Sequence, residues 1–280
     1  MSEQNYLDRI HAEILIVMDE VHRVCTENGL KYYLVGGSLL GAMRHGGFIP
    51  WDDDLDIGMP REDYEKFLAI APEQLKKPFA VKHYGTDKTY YRSCAKVENT
   101  DTAFVEQGSA ALDVGKTGFF VDIFVLDDAK EYSETIAKRK RTINSYSDIM
   151  RRKLEVNRSR GFKQSVKRLI AKLFTTDSLV KKREKLMQKE NGKGYTYYIN
   201  YTSRYSAKKQ TLPKAIYGEG KLAKFEDREY IVPDDPHALL TSLYGNSYME
   251  LPPMEKRYGH RPAYLKFSNG EIMDSKEEKA

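Results

Sequence analysis

Leu7, Ile10, Ile14, Val17, Met18, Val21 and Val24 recur at spacings of three and four. That periodicity predicts an amphipathic helix over residues 6–25, which Asn28-Gly29 would close. KYYLVGG (31–37) is short, aromatic and β-branched, and predicts a strand running into a glycine turn. Ser38 is placed to cap a helix through LLGAMRH, with Gly46-Gly47 as its stop. DLDIGM (54–59) alternates polar and apolar residues as a strand does, and Pro60 with Arg61, Glu62 and Asp63 suits the first turn of the next helix. Further strands are predicted at 79–84, 90–97 and 118–126. The last of them, GFFVDIFVL, is apolar enough to lie in the middle of a sheet. Residues 130–190 read as helical, 244–262 as a proline-bearing ordered loop, and EIMDSKEEKA as a frayed tail.

The chain has 280 residues, 40% hydrophobic, 31% charged and 11% aromatic. This is a globular composition. Apolar runs such as VGGSLLGAM (35–43) fall short of the ~18 residues that span a bilayer, and MSEQNYLDRI lacks the pattern of a secretory signal. Cys25 and Cys94 are too few for a disulfide framework or a four-ligand zinc site. A cytoplasmic protein is expected. Net charge changes the picture. The total is +5, yet 18 Lys and Arg face four acidic residues between Ala137 and Lys189, so the rest of the chain is acidic. Such an insert either attracts an anionic partner or forms a solvated helical surface. Within it, Phe162, Val166, Leu169, Ile170, Leu173 and Phe174 recur at helical spacing, with Lys163, Lys167, Arg168 and Lys172 between them. This basic amphipathic stretch, 161–175, suits a membrane interface as well as it suits packing on its own core.

Candidate chemistry centres on FIPWDDDLDIGMP (48–60). Residues i and i+2 of a strand share a face, so Asp54 and Asp56 are expected side by side. Paired carboxylates repel unless a cation lies between them, and few hard oxygen ligands suit Mg²⁺. Asp122 is the single charge in an apolar strand, and a third carboxylate would converge there if the two strands are neighbours. An EF-hand loop fails, because Ile57 stands where glycine is required and Asp63 where glutamate is expected. A solvated acidic turn accounts for Asp52 and Asp53. Gly115-Lys116-Thr117 mimics the end of a P-loop, but Ala110 replaces its first glycine and a strand follows. Gly36-Gly37-Ser38, between a strand and a helix start, can hold a phosphate on backbone N–H groups. A phosphate turn, a paired-carboxylate strand and a third acid form the layout of the nucleotidyltransferase superfamily.

The run YLVGGSLLGAMRHGGFIPWDDDLDIGMPREDYEKF (33–67) closely resembles the signature of the LicD/fukutin phosphotransferases. Lys96 in CAKVENTDT, GFFVDIFVLD (118–127) and LYGNSYMELPPMEKRYGH (243–260) continue the resemblance in family order. It implies an α/β (α+β) fold, a nucleotidyltransferase-like mixed sheet flanked by helices with a basic helical insert. The expected organisation is a catalytic core over 1–128, the insert over 129–190, and a part over 191–280 that completes the active site. The resemblance also implies a Mg²⁺- or Mn²⁺-dependent enzyme. It would transfer phosphocholine, or ribitol or glycerol phosphate, from a CDP-alcohol donor to a glycan or lipid-linked glycan acceptor. Asp54, Asp56 and Asp122 carry over as the metal and catalytic set, and Gly37 and Ser38 as the phosphate turn. Arg44 and His45 correspond to the basic pair of the following helix, and Lys96, Arg257 and His260 to positions facing diphosphate or acceptor. Arg44-His45 would also suit a helix C-terminus electrostatically, and His260 could serve as a cap. Trp51 reads as a packing anchor. Peripheral contact with an anionic membrane at its cytoplasmic face is expected if the acceptor is lipid-linked. Nucleotidyl transfer to a small molecule or protein is the enzyme alternative. A nucleic-acid-binding module is the non-enzyme one, but no nucleic acid is expected, because RNA-binding and zinc-finger signatures are lacking.

Overall fold

A computed structural model describes residues 3–106, 117–154, 174–257, 259 and 262–274. Helix α1 (Glu3–Glu27) follows the predicted periodicity, and its apolar stripe, Ile10 to Val24, is buried. Gly29, at φ 61°, closes it in the left-handed region that glycine enters without penalty. Strand β1 (Tyr33–Leu34) is shorter than predicted, because α2 (Gly36–His45) already begins at the first glycine. Val35, not Ser38, is its N-cap, and Gly46 ends it at φ 71°. Strand β2 (Asp56–Pro60) runs directly into α3 (Arg61–Gln74). Then follow β3 (Phe79–Lys82), β4 (Ala95–Asn99), β5 (Ala103–Glu106) and β6 (Phe120–Ala129).

The principal sheet has the order β1-β2-β6-β4-β3. Pairing is antiparallel except between β2 and β6, which run parallel. The apolar strand β6 is central, as its sequence predicts. It also pairs with β7 (Tyr197–Ile199), which pairs with β8 (Thr211–Pro213). The C-terminal part of the chain thus extends the same sheet. On β6 the alternate residues Val121, Ile123, Val125 and Asp127 face one way, toward α1 and α3, while Asp122, Phe124 and Leu126 line a pocket on the other.

The basic region supplies α4 (Glu134–Leu154) and α5 (Thr176–Met187), which pack together. The 161–175 stretch lies outside the described residues except for its last two. Short helices α6 (Ala207–Gln210) and α7 (Lys214–Tyr217), a hairpin of β9 (Lys221–Phe225) and β10 (Arg228–Val232), and α8 (Pro236–Tyr244) follow. The 245–257 segment is loop with one 3-10 turn, as its prolines suggest. Beyond it, β11 (Pro262–Lys266) pairs with β5 and with β12 (Ile272–Asp274). The first residues of the expected frayed tail are therefore ordered, and 275–280 lie outside the described residues. Ile272 and Met273 pair with β11, and Glu271 is held by Arg9 at 2.7 Å.

Candidate active site

The acid run sets the geometry. Asp52, Asp54 and Asp56 line the pocket, while Asp53 and Leu55 between them are buried, so the two-residue alternation extends beyond β2 itself. This corrects the solvated-turn expectation for Asp52 and Asp53, the latter only 2% exposed. The stretch leading into a buried strand is already extended, and its acids are sorted by face.

Parallel pairing places Asp56 opposite Asp122, and antiparallel pairing places Lys96 opposite Asp122 on its other side. The row Asp56–Asp122–Lys96 crosses three neighbouring strands on one face of the sheet. Lys96 Nζ stands 3.4 Å from Asp122 Oδ1 and 3.1 Å from the centre of the Phe120 ring. Asp122 Oδ1 is buried and, despite that proximity, accepts no hydrogen bond among the described residues. Burial, then the carboxylates of Asp54, Asp122 and Asp52, push the Asp56 carboxyl well above the usual aspartate range, against the pull of Lys96.

The helix start closes one side of the site. A side chain on Gly36, at φ 57°, would come within 3.6 Å of Asp56 Oδ2, and one on Gly37 would meet Asp52 Oδ2 at 2.7 Å. Both glycines line the pocket, at the end of α2 where N–H groups and the helix dipole favour an anion. Ser38 is turned away from this role. Its hydroxyl accepts the Asp56 N–H at 2.7 Å and so fixes the acid strand to the helix.

The pocket encloses about 520 Å³. Tyr91, Arg92, Tyr205, Tyr217, Tyr244 and Arg204 contribute to its walls, together with Asn144, Ser147 and Asp148 from α4. The Arg204 guanidinium lies 5.6 Å from the centre of the Tyr205 ring and feels the charge of Asp54. None of these wall residues was a candidate from sequence. They come from loops, from α4 and from the ends of α7 and α8, all far from the acid run in sequence, and no local pattern marks them.

Lys96 stands behind Asp122 and does not line the pocket. Arg44, His45 and Arg257 form a neighbouring cluster around Trp51. The His45 ring meets Trp51 edge-on at 6.2 Å, and the Arg257 guanidinium lies 5.3 Å from the centre of the Trp51 ring. Arg44 donates to the carbonyls of Tyr248 and Glu250 at 3.0 and 3.1 Å, and Arg257 to that of Pro252 at 2.7 Å. This cluster pins the 245–257 loop against the end of α2. Burial and then Arg44 lower the His45 pKa, favouring its neutral form. His260 lies outside the described residues.

Among the described residues no three of Asp, Glu, His and Cys form a ready-made metal cage. Asp54, Asp56 and Asp122 converge on one pocket but stop short of encircling an ion. That donor set still fits Mg²⁺ or Mn²⁺, which take one or two carboxylates and complete their shells with water and phosphate. Crowded carboxylates around Asp56 and an unsatisfied buried oxygen on Asp122 are the features such an ion would relieve.

The family model described as LicD/FKTN/FKRP, nucleotidyltransferase domain, matches residues 29–143, the stretch that carries Gly37, the acid run, Lys96 and Asp122. The chain is 28% identical over 264 residues to the lipopolysaccharide cholinephosphotransferase LicD of Haemophilus influenzae, covering 90% of this chain and 95% of that protein. It is 63% identical over 35 residues to the human ribitol 5-phosphate transferase FKRP, covering 12% of this chain and 7% of that one. An uncharacterized protein of Rickettsia typhi is 45% identical over 67 residues, 24% of this chain and 22% of its own. Residues 29–143 thus match a LicD/FKTN/FKRP nucleotidyltransferase domain, and over most of its length the chain is similar to a LicD-family transferase.

Proposed function

We propose that this pocket transfers a phospho-alcohol unit from a CDP-activated donor to a sugar hydroxyl of a cell-surface glycan or teichoic acid precursor. The hydroxyl oxygen attacks the β-phosphorus, the bond from that phosphorus to the bridging oxygen breaks, and CMP leaves. The observation that carries this reading is the register of Asp56 beside Asp122, with the start of α2 against Asp56. Asp54, Asp56 and Asp122 would hold Mg²⁺ or Mn²⁺, an ion that supplies charge neutralisation at the phosphoryl oxygens and acidifies a bound hydroxyl.

The chain's own residues provide the rest. Gly36 and Gly37 present backbone to the phosphates. Arg204 and Arg92 place positive charge in the same pocket, where diphosphate charge must be balanced. Asp122 either completes the carboxylate set or receives the hydroxyl proton, and Asp122→Asn separates the roles by whether metal affinity falls with activity. Tyr91, Tyr205, Tyr217 and Tyr244 offer aromatic surface of the kind that holds a quaternary ammonium, which favours phosphocholine over ribitol or glycerol phosphate. The name of the Haemophilus relative, a lipopolysaccharide cholinephosphotransferase, supports the same choice. For a lipid-linked acceptor, the basic insert would give the enzyme a peripheral hold on the anionic cytoplasmic face of the membrane.

Incubation of purified protein with CDP-choline, CDP-ribitol, CDP-glycerol or CTP tests the reading. CMP released from a CDP-alcohol, with CDP-choline the fastest, is expected. Pyrophosphate from CTP and no CMP would instead make the protein a nucleotidyltransferase.

A further inference from the structure

The basic region reads as a charged exterior, yet Arg139, Lys140 and Arg183 are buried and point inward, Arg139 onto the Glu190 carboxylate and the other two onto backbone carbonyls. Lys140, on α4, is 5% exposed, and its ammonium donates to three carbonyls, Asn200 at 3.1 Å, Tyr201 at 2.8 Å and Ser203 at 2.6 Å. Three donors thus meet three acceptors, with no carboxylate among its hydrogen-bond partners. Arg183, on α5, is 2% exposed and donates to the carbonyls of Tyr91 at 2.8 Å and Arg92 at 3.1 Å, and to the Ser147 hydroxyl at 3.2 Å.

Burying a cation costs several kcal/mol unless it is paired with an opposite charge as well as hydrogen-bonded; Lys140 has carbonyls alone and Arg183 only Glu184 at 3.6 Å beside them, so both are expensive as mere packing. Burial alone draws the Lys140 pKa down to about 7. The carbonyls they grip belong to two segments, 91–92 and 200–203, that contribute Tyr91, Arg92, Asn200 and Ser203 to the pocket wall; Arg204 follows directly. We propose that Lys140 and Arg183 are positioning residues, two buried cations through which the α4–α5 pair holds both wall segments, and with them Arg92 and Arg204, in place around the donor.

Amide hydrogen exchange and kinetics on the full chain test this. Lys140→Met should speed exchange in the 200–205 segment and Arg183→Met in 91–94, each without loss of protection in β2 and β6. With CDP-choline as probe, KM should rise about tenfold with kcat nearly unchanged, the pattern of lost binding in a displaced wall. The kinetic arm rests on the proposed transfer reaction and the exchange arm does not. If the wild type releases no CMP while exchange changes as stated, the functional reading fails and the positioning role stands. Unchanged exchange in both segments, or loss of protection spread over the whole sheet, would overturn the proposal. Should Lys140→Met fail to fold, Lys140→Arg keeps the charge but replaces tetrahedral donors with a planar fork. It must still speed exchange in 200–205, and an unchanged segment would count against the proposal.

Discussion

Asp56 carries the largest electrostatic conflict in the site, and it makes two predictions. In metal-free protein, the unfolded chain releases the Asp56 proton at an ordinary aspartate pH, whereas the folded chain holds it to higher pH. Between those two values the folded state binds the extra proton, so stability falls as pH rises through the interval and levels off above it. Asp56→Asn removes this penalty. Its melting temperature in EDTA should equal or exceed that of the wild type at neutral pH, with the difference shrinking below about pH 4, where unfolded aspartates protonate. A variant less stable at neutral pH would show that the carboxylate is a net stabiliser. Lys96 makes the second prediction, because it faces Asp122 without reaching the pocket. Lys96→Met should leave Asp122 buried beside Asp56 with no cation and, with one positive charge fewer to repel the ion, should lower the Mg²⁺ concentration needed for half-maximal activity. Unchanged metal dependence would mean that Lys96 has no part in the site. At this scale the alternation of Asp54 and Asp56 was legible in sequence, since a period of two needs no tertiary information. The duty of Ser38 was not. A hydroxyl at a helix start suits a cap or a phosphate equally well, and only the fold shows it accepting the Asp56 N–H.

Elements were legible where one pattern dominated. The α1 stripe and the apolar β6 are each set by many residues in agreement. Strand β1 came out short because Gly36 and Gly37 could end a strand or start a helix, and packing chose the helix. The segment around Arg92 reads as the start of a strand over 90–97, but β4 begins only at Ala95, and the segment around Arg204 has no period, so nothing local marks either as part of the site. On its other face β6 is tied to α3 through Asp127, fully buried, whose carboxylate takes a forked pair from Arg61 at 2.8 and 3.0 Å and a bond from Asn191 at 2.8 Å. Asp127→Ala would take the forked pair from a buried guanidinium and leave it only Glu184 at 3.3 Å and Glu65 at 3.7 Å, at a cost of up to ~3 kcal/mol in denaturant unfolding. A loss below about 1 kcal/mol, the scale of an exposed pair, would show that water reaches the site.

For the whole molecule, the charge asymmetry was legible but its meaning was divided. Arg139, Lys140 and Arg183 face inward, while Lys138, Arg141, Lys181, Lys182, Lys185 and Lys189 are exposed toward solvent. Among the described residues no helix is long and apolar enough to cross a membrane. If the insert holds the enzyme at a lipid surface, the protein should co-sediment with anionic but not neutral liposomes, less so in high salt and in Phe162→Glu or Leu169→Glu. Binding indifferent to lipid charge would contradict that role. The central claim is that the facing carboxylates of β2 and β6 perform phospho-alcohol transfer. CMP release from CDP-choline, measured with Mg²⁺ for the wild type, Asp56→Asn and Asp122→Asn, tests it most directly. The account predicts turnover in the wild type and a loss of at least ~100-fold in either variant with the fold intact. Near-full turnover in either variant would contradict it.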